Sequence, residues 1–224
     1  SAEISAHALR KDGFSGAISL ALKGAPPGLT LYGATIPPGV DRIRLTLTAD
    51  MAPTEHPLAL QVEGSAEIGG QVVHRLAKPA EDMMQAFIYR HLVPCDELLV
   101  SVLDSKGRGR PVEIASDNPA KIPLGGAAQV YVKTPAGLPL SMVKLELSDP
   151  PKGISLNDVV IVPNGMVLEV KAAADAAKAG LADNLIVEAF TETDGPQQDG
   201  KPAKNKRRVS LGVLPAIPIE IAQR

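Results

Sequence analysis

Few side chains in this sequence have the types and spacing that catalysis requires. The four histidines, His7, His56, His74 and His91, are widely separated, and none forms an H-x-x-x-H pair that could bind a metal. The motifs of a nucleophile elbow, a phosphate-binding loop, a zinc protease and a dinucleotide site are also missing from the sequence. Because no nucleophile, base and orienting group can be named together, we expect a protein that is not an enzyme and binds no cofactor.

The single cysteine, Cys95, is a poor candidate for a nucleophile. It is followed by Asp96 and Glu97, whose negative charges disfavour the thiolate that a catalytic cysteine needs. One cysteine also excludes an intrachain disulfide, and with it a disulfide-dense secreted scaffold.

Loop aspartates raise the question of calcium, which takes oxygen ligands from loops. The candidates are Asp175, Asp183 and Asp194, but the sequence has no D-x-D-x-D run. We interpret Asp175, and Asp50 at the matching position of a repeat described below, as turn residues that bond their own backbone. We therefore predict no metal site.

One group of charges is dense enough to suggest an interaction surface. This basic cluster consists of Lys201, Lys204, Lys206, Arg207 and Arg208. Two interpretations are open, a solvated hairpin flank and a surface that binds an acidic polymer or lipid headgroups. The net charge of −2 and the 3% of aromatic residues, with no Trp, favour neither nucleic acid nor a stacking platform, so we expect no nucleic-acid partner.

The elements that carry these residues are organised around a repeat. The stretch Pro26-Pro27-Gly28 recurs as Pro151-Lys152-Gly153, a separation of 125 positions, and residues 18–63 match residues 143–188 without a gap at thirteen identical pairs. A repeat of this length is a whole domain, because solenoid repeats are only about 20–50 residues long. We predict two domains, residues 1–92 and 93–224.

Alternating apolar residues predict strands in both copies. The clearest strand is 42–48, in which Ile43, Leu45 and Leu47 face the core and the other face is polar. The polar face carries Arg42, Arg44, Thr46 and Thr48. The pair Gly69-Gly70 predicts a hairpin, and 217–221 could be an edge strand, where Pro218 would be tolerated.

Two segments are less clear. In 79–92, the spacing of Met83, Met84, Phe87 and Ile88 suits one face of a helix, but 87–89 also suits a strand. We expect the apolar residues of this segment to pack between the domains. The alanine-rich segment 171–179 favours a helix by composition, but we expect one helical turn at most.

Short strands, 20 Gly, 20 Pro and the lack of long amphipathic patterns predict an all-β protein with two packed antiparallel sheets in each domain. The second copy has strand-forming residues from Leu98 onward, before its first matching strand. The first copy has only residues 1–10 at that position. We therefore expect the N-terminal domain to lack its opening strand.

These residues resemble a known family. Residues 13–20, 27–30, 36–39 and 45–52 are together similar to the immunoglobulin-like repeats of large secreted bacterial proteins, which occur in tandem, often beside pre-peptidase C-terminal or protease-type regions. The resemblance covers 10–76. The second copy keeps 151–156 and 174–177 but has Gly137-Leu138-Pro139-Leu140 in place of the Gly-Phe motif. The resemblance implies two tandem immunoglobulin-like β-sandwich domains, an extracellular, cell-surface or periplasmic location, and no catalytic residues.

We therefore expect a non-catalytic structural or spacer module of a larger extracytoplasmic bacterial protein. Its partners would be other domains of the parent chain. The alternatives are a protein- or polysaccharide-binding adhesion module and an accessory domain of an attached secreted protease. No apolar run reaches the roughly 18–20 residues of a membrane span. Because the sequence starts at Ser1 with neither Met nor a signal peptide, we expect it to be a piece of a longer protein.

Overall fold

The computed structural model describes residues 1–84, 88–103, 112–194 and 206–223. These residues form an all-β structure of several mainly antiparallel sheets, with no α-helix and a short 3-10 helix at Leu140–Met142. The strands of residues 1–103, the N-terminal half, are β1 Ala2–His7, β2 Ile18–Lys23, β3 Leu29–Tyr32, β4 Thr35–Ile36, β5 Arg42–Ala49, β6 Leu58–Ile68, β7 Gln71–Leu76, β8 Ala80–Met84, β9 Arg90–Pro94 and β10 Leu98–Val100. The strands of residues 112–223, the C-terminal half, are β11 Glu113–Ile114, β12 Ala120–Pro123, β13 Ala127–Lys133, β14 Lys144–Ser148, β15 Ile154–Val162, β16 Gly165–Ala172, β17 Ala182–Asp194, β18 Lys206–Val213 and β19 Ile217–Ala222.

Each half contains two main sheets. In the N-terminal half, one sheet has the order β1-β5-β3, and the other has the order β10-β6-β2-β4 with β7 also paired to β6. In the C-terminal half, the orders are β11-β13-β16-β15 and β12-β19-β17-β14, with β18 also paired to β17. The described pairs are antiparallel apart from β12 with β19, which is parallel. The remaining sheet is the hairpin β8-β9.

The pairing registers of β2, β6 and β10 correspond to those of β14, β17 and β19. Leu20 lies opposite Gly64 in the β2–β6 pair, and Leu145, 125 positions later, lies opposite Ala189, 125 positions after Gly64. Likewise Leu60 pairs with Leu98 on β10, and the matching Leu185 pairs with Ile217 on β19. By its pairing, β10 therefore occupies in the N-terminal half the place that β19 occupies in the C-terminal half.

This pairing bears on where one half ends and the next begins. The predicted division between residues 92 and 93 precedes Leu98–Val100, and that strand is hydrogen-bonded to β6. Residues from Leu98 onward were assigned to the second copy, but Leu98–Val100 completes the first. Strand β1 pairs with β5 as β13 pairs with β16, so by its pairing β1 matches β13. The strands β11 and β12, which precede β13, have no matching strand before β1 among the described residues.

The shared Pro-x-Gly stretch forms a similar turn in both halves. Gly28 and Gly153 have φ of +93° and +83°, which only glycine adopts without strain. The carbonyl of Gly28 accepts the amide of Asp50 at 2.7 Å, and that of Gly153 accepts the amide of Ala173 at 2.8 Å. A Cβ at either glycine would collide with the corner that follows β5 or β16. In both halves the Pro-x-Gly stretch thus packs a turn against the corner that follows a strand.

The alternating apolar residues form a core in each half. The larger cluster lies in the C-terminal half and draws on both of its sheets, with Val130, Leu168, Leu185, Val187 and Ile219 nearly inaccessible to solvent. The smaller cluster lies between the two sheets of the N-terminal half around Ile36, Ile43 and Leu45. The core-facing residues predicted on β5 are therefore confirmed.

Two local predictions need correction. Residues 217–221 do not form an edge strand, because β19 lies between β12 and β17. Pro218 is accommodated because pairing with β12 begins one residue later, at Ile219. The alanine-rich segment behaves as predicted, since 171–172 belong to β16 and Ala177 donates to Ala173 in a single turn.

The ambiguous segment 79–92 forms strands at 80–84 and from 90 onward, which pair in the hairpin β8-β9. All ten residues of these two strands are exposed. The expectation that Met83, Met84 and Tyr89 pack between the domains is therefore wrong, because their exposed fractions are 49%, 66% and 68%. Phe87 lies outside the described residues.

Candidate functional site: the joint between the two halves

A buried polar arrangement lies where the two halves meet, and we take it as the candidate functional site. One side is the outer face of β5, which carries Arg42, Arg44, Thr46 and Thr48. The sequence pattern predicts only that this face is opposite the core. Thr46 and Thr48 nevertheless have exposed fractions of 0% and 3%, because strand β17 of the C-terminal half covers this face and Ser1 contacts Thr48. We call this contact, centred on Gly33, Arg44, Thr46, Asn184 and Ala216, the joint.

Asn184 is the central side chain of the joint. It is 2% exposed, and its Nδ2 donates to the carbonyl of Gly33 at 2.8 Å and to the carbonyl of Arg44 at 2.7 Å. Both protons of the amide are therefore used across the joint. A buried amide that lost these acceptors would bear the full cost of desolvation, so the contact is specific in distance and direction.

Gly33 is the glycine that the joint requires. Its φ is +70°, and a Cβ at this position would overlap the amide group of Asn184. Both the turn and the close approach of Asn184 therefore depend on the missing side chain.

Two further polar contacts cross the joint. The hydroxyl of Thr46 accepts the backbone amide of Ala216 at 2.8 Å. The guanidinium of Arg44, whose side chain is 15% exposed, donates to the carbonyls of Ser148 and Asp149 at 2.7 Å each, and it faces Glu3 at 3.7 Å. Hydrogen bonds from a charged guanidinium to carbonyls are stronger than hydrogen bonds between neutral groups. These bonds fix the face of β5 against the ends of β14 and β19.

The joint also contains apolar surface. Ile186 is fully buried, yet it is outside the core cluster that contains its neighbours Leu185 and Val187. Since side chains of a strand alternate between faces, Ile186 lies on the same face of β17 as Asn184, towards β5.

Asp183 borders the joint and is the carboxyl group with an altered environment there. Burial raises its pKa above the ordinary value, and the amide of Asn184 and the positive charges of Arg44 and Arg42 partly oppose this effect. Its Oδ1 accepts the backbone amide of Asn184 at 2.7 Å. Asp183 therefore positions Asn184 at the cost of holding a charge in a partly dehydrated place.

Two clefts flank the joint. One, of about 250 Å³, is lined by Arg42, Arg44, Asp149, Pro150, Pro151 and Asp183. The other, of about 380 Å³, is lined largely by prolines and small residues, including Pro37, Pro38, Pro119 and Pro218. Ligand pockets are usually lined by aromatic side chains with a few convergent polar groups, and among the described residues no aromatic side chain lines either cleft. The arrangement is suited to holding the halves together.

The basic cluster is only partly described. Lys201 and Lys204 lie outside the described residues, while Lys206, Arg207 and Arg208 are on the exposed strand β18. Lys206 faces Glu192 at 3.6 Å. Arg208 bonds Glu188 at 2.9 Å and Glu146, and it stacks over Phe190 at 3.7 Å. Two of the three described cations of the cluster, Lys206 and Arg208, thus lie beside carboxylates. A binding role for the cluster stays a prediction.

The other candidate residues are scattered. His74 contacts Glu63 at 3.3 Å on the surface, and Cys95 is a free, partly buried thiol beside the carbonyl of Glu97. Across the described ranges, no three His, Cys, Asp or Glu side chains are grouped so that they could hold a metal ion. The structure thus brings none of these residues together.

The residues of the joint were missed at the sequence level, although one signal was present. Leu185-Ile186-Val187 is a continuous apolar run, and such a run indicates a strand that is buried on both faces. The matching residues Leu60-Gln61-Val62 alternate, and the corresponding face of β6 is exposed at Gln61. Asp183 and Asn184 are residue types that are common in ordinary turns, so this pair gave no signal of a buried contact.

Comparison with protein-family models, with curated proteins and with solved structures finds no match to this chain. Among the described residues, no helix has the length and apolar character needed to cross a membrane.

Proposed function

We propose that this chain is a non-catalytic structural module, in which two immunoglobulin-like β-sandwich domains in tandem are held at a fixed angle within a larger extracytoplasmic bacterial protein. Its task is to space or present the domains attached to it. The observation that carries the proposal is the joint, because its buried hydrogen bonds restrict how the halves can be oriented.

The corresponding registers support the tandem arrangement. Seven strands of each half, β1, β2, β3, β5, β6, β7 and β10 in one and β13 to β19 in the other, follow the same order of pairing. Two sheets around one core, joined by turns, are the architecture of immunoglobulin-like sandwiches. The resemblance to repeats of large secreted bacterial proteins supports an extracellular, cell-surface or periplasmic location.

The chemistry of the joint supports rigidity. Contacts between domains of one chain often resemble transient interfaces and permit motion. Here a fully directed amide, a buried threonine hydroxyl and a two-carbonyl arginine contact all cross the boundary. Such bonds are lost together if the domains rotate, so one orientation is favoured over others.

The proposal is tested by measuring the distance distribution between the halves. Spin labels at Glu67→Cys and Lys171→Cys, in a Cys95→Ser background, report the separation of two exposed positions on different halves. We expect one narrow distribution that broadens in Asn184→Ala. Asn157→Ala is the matched control, because its amide bonds Glu169 within the C-terminal half. A broad distribution in the unmodified pair would contradict a fixed spacer.

A recognition module for a protein partner is the second candidate, and the hairpin β8-β9 favours it. Its apolar side chains, among them Met84 and Leu92, are exposed on two strands that pair only with each other among the described residues. A two-stranded hairpin alone is marginally stable in water, and exposed apolar side chains are common at contact sites. Polysaccharide adhesion and an accessory role beside a secreted protease are variants that could use the same rigid pair.

The fluorescent probe 1-anilinonaphthalene-8-sulfonate tests the second candidate. We expect its fluorescence to rise with the intact chain and to fall when Met84→Ser and Leu92→Ser are combined. Val160→Ser is the control, since Val160 is exposed on β15, outside the hairpin. Equal fluorescence from all three proteins would show that the hairpin offers no apolar surface for a partner.

A further inference from the structure

We propose that the N-terminal half is a conditionally folded domain, which opens before the C-terminal half and is held closed by the joint. This inference goes beyond the proposed spacer role and does not depend on it.

The first observation is the difference between the two cores. Among the described residues, the core cluster of the C-terminal half contains fifteen buried hydrophobic residues, and that of the N-terminal half contains three. Burial of apolar surface is the main force that stabilises a fold. Because the strand pairing of the two halves is similar, the half with the smaller core has the lower free energy of unfolding when it is considered alone.

The second observation is where the N-terminal half keeps its apolar residues. Twelve of the eighteen exposed large hydrophobic residues in the described chain belong to it. They include Leu9, Ile68, Val72, Leu99 and Leu103. These side chains contribute little to stability, so a similar apolar composition yields a weaker domain.

The third observation is that core and joint share one strand. Five hydrophobic residues of the N-terminal half are buried, and three of them, Ile43, Leu45 and Leu47, are on β5. The opposite face of β5 is the one that the C-terminal half covers through Asn184 and Ala216. Any loosening of the joint therefore acts directly on the strand that supplies most of the small core.

Together these observations define a device with two states. In the closed state, β5 is held from both faces. When the joint releases, β5 keeps only its inner face. Strand β2, whose Ile18 and Leu20 pack in the same cluster as Ile43 and Leu45, then loses support, and so does β6, which is paired with β2. The C-terminal half keeps its own core in either state. Regional opening of this kind, in cooperative units of unequal stability, is what amide hydrogen exchange measures.

Hydrogen exchange of the intact chain, followed by mass spectrometry, tests the inference. We expect amides of β2 and β6 to exchange at least about tenfold faster than those of β13 and β16. In Asn184→Ala, exchange in β2 and in β6 beyond Val62 should accelerate a further severalfold, although these amides do not touch Asn184. Exchange in β13 and β16 should not change. Asn157→Ala, which removes an amide outside the joint, should match the unmodified chain.

Two results would overturn the inference. One is equal protection of β2, β6, β13 and β16 in the unmodified chain. The other is an effect of Asn184→Ala that stops at the contacts themselves, around Gly33 and Arg44. Gly33→Ala provides a second variant that disturbs the joint from the N-terminal side, and it should give the same exchange pattern. The spin-label distances test rigidity separately, so a narrow distribution combined with equal protection would reject this inference and leave the spacer proposal standing.

Discussion

At the scale of single residues, the joint depends on groups whose roles are visible only in the folded chain. Asn184 donates two hydrogen bonds to carbonyls that are 140 and 151 residues away in the sequence. No local pattern predicts such partners, because they are set by how two independent sheets meet. The turn glycines Gly28 and Gly153 were detectable, since a repeated Pro-x-Gly stretch has a local meaning.

Replacement of Gly33 by alanine should lower stability more than replacement of a glycine with similar backbone geometry. Gly70 has φ of +79° and open space around its Cα, whereas a Cβ at Gly33 would meet Asn184. We expect Gly33→Ala to cost about 1–3 kcal/mol more than Gly70→Ala, from the lost fit and hydrogen bonds. Urea unfolding of both variants provides the measurement, and equal losses would mean that Asn184 tolerates the methyl group.

The pH dependence of stability should carry the signature of Asp183. Because burial raises the pKa of this carboxyl, its contribution to stability is fully present below its ordinary value of 3.8 and is lost as pH rises through the raised pKa. Asp183→Asn keeps an oxygen for the amide of Asn184 and does not ionise. The melting temperature of the variant should therefore increase relative to that of the original chain as pH rises above about 4.

Other acids provide the contrast for that measurement. Hydrogen bonds and ion pairs with lysines lower the pKa of Glu63 and Glu192, so their contributions are lost as pH falls. These groups are the same in both proteins and cancel in the difference between the two melting curves. If the difference in melting temperature between Asp183→Asn and the original chain stays constant from pH 4 to pH 8, Asp183 is adequately solvated.

At the scale of elements, strand periodicity predicted one face of β5 well and could not predict the other. A period of two separates the faces, and Ile43, Leu45 and Leu47 are buried as expected. Thr46 and Thr48 are buried as well, because the C-terminal half docks on their face. Strand periodicity could not predict this, since threonine is found both at solvent-exposed surfaces and in interfaces. The apolar run at Ile186 was the readable sign that a strand has no solvent face.

The hairpin β8-β9 should be dispensable for folding. Its strands are exposed along their length, and its ends are already close because the amide of Cys95 donates to the carbonyl of Pro79 at 2.9 Å. An Asn-Gly turn in place of residues 80–94 suits such closely spaced ends. We expect the melting temperature to change by less than about 2 °C, because little buried surface is lost. A large loss would show that the hairpin supports the sheet beside it.

Strand β18 should not act as a polyanion site in spite of its sequence. Glu146, Glu188 and Glu192 lie against Lys206 and Arg208, so an approaching anion meets carboxylates as well as cations. We expect elution from a heparin column below about 0.15 M salt, where screening already weakens exposed charges. Retention that falls in Arg207→Ala would instead support the basic cluster as an interaction surface.

At the scale of the whole molecule, the repeat predicted much of the architecture, since the match over residues 18–63 aligned β2 with β14 and β6 with β17 in register. What it could not predict is the asymmetry between the halves. The strand β12, which covers β19, and the hairpin β8-β9 lie outside the matched window. Strand β12 adds Ala120 and Ile122 to the core of the C-terminal half, so equal sequence patterns produced unequal halves.

The polar outer face of β5 has a consequence for folding during synthesis of the chain. The N-terminal half leaves the ribosome first, and at about 5–20 residues per second roughly ten seconds pass before the strand containing Asn184 is synthesised. During this delay the docking surface meets water with arginines and threonines, which do not attract other nascent chains as leucines would. The docking surface itself is thus not a seed for aggregation during this delay.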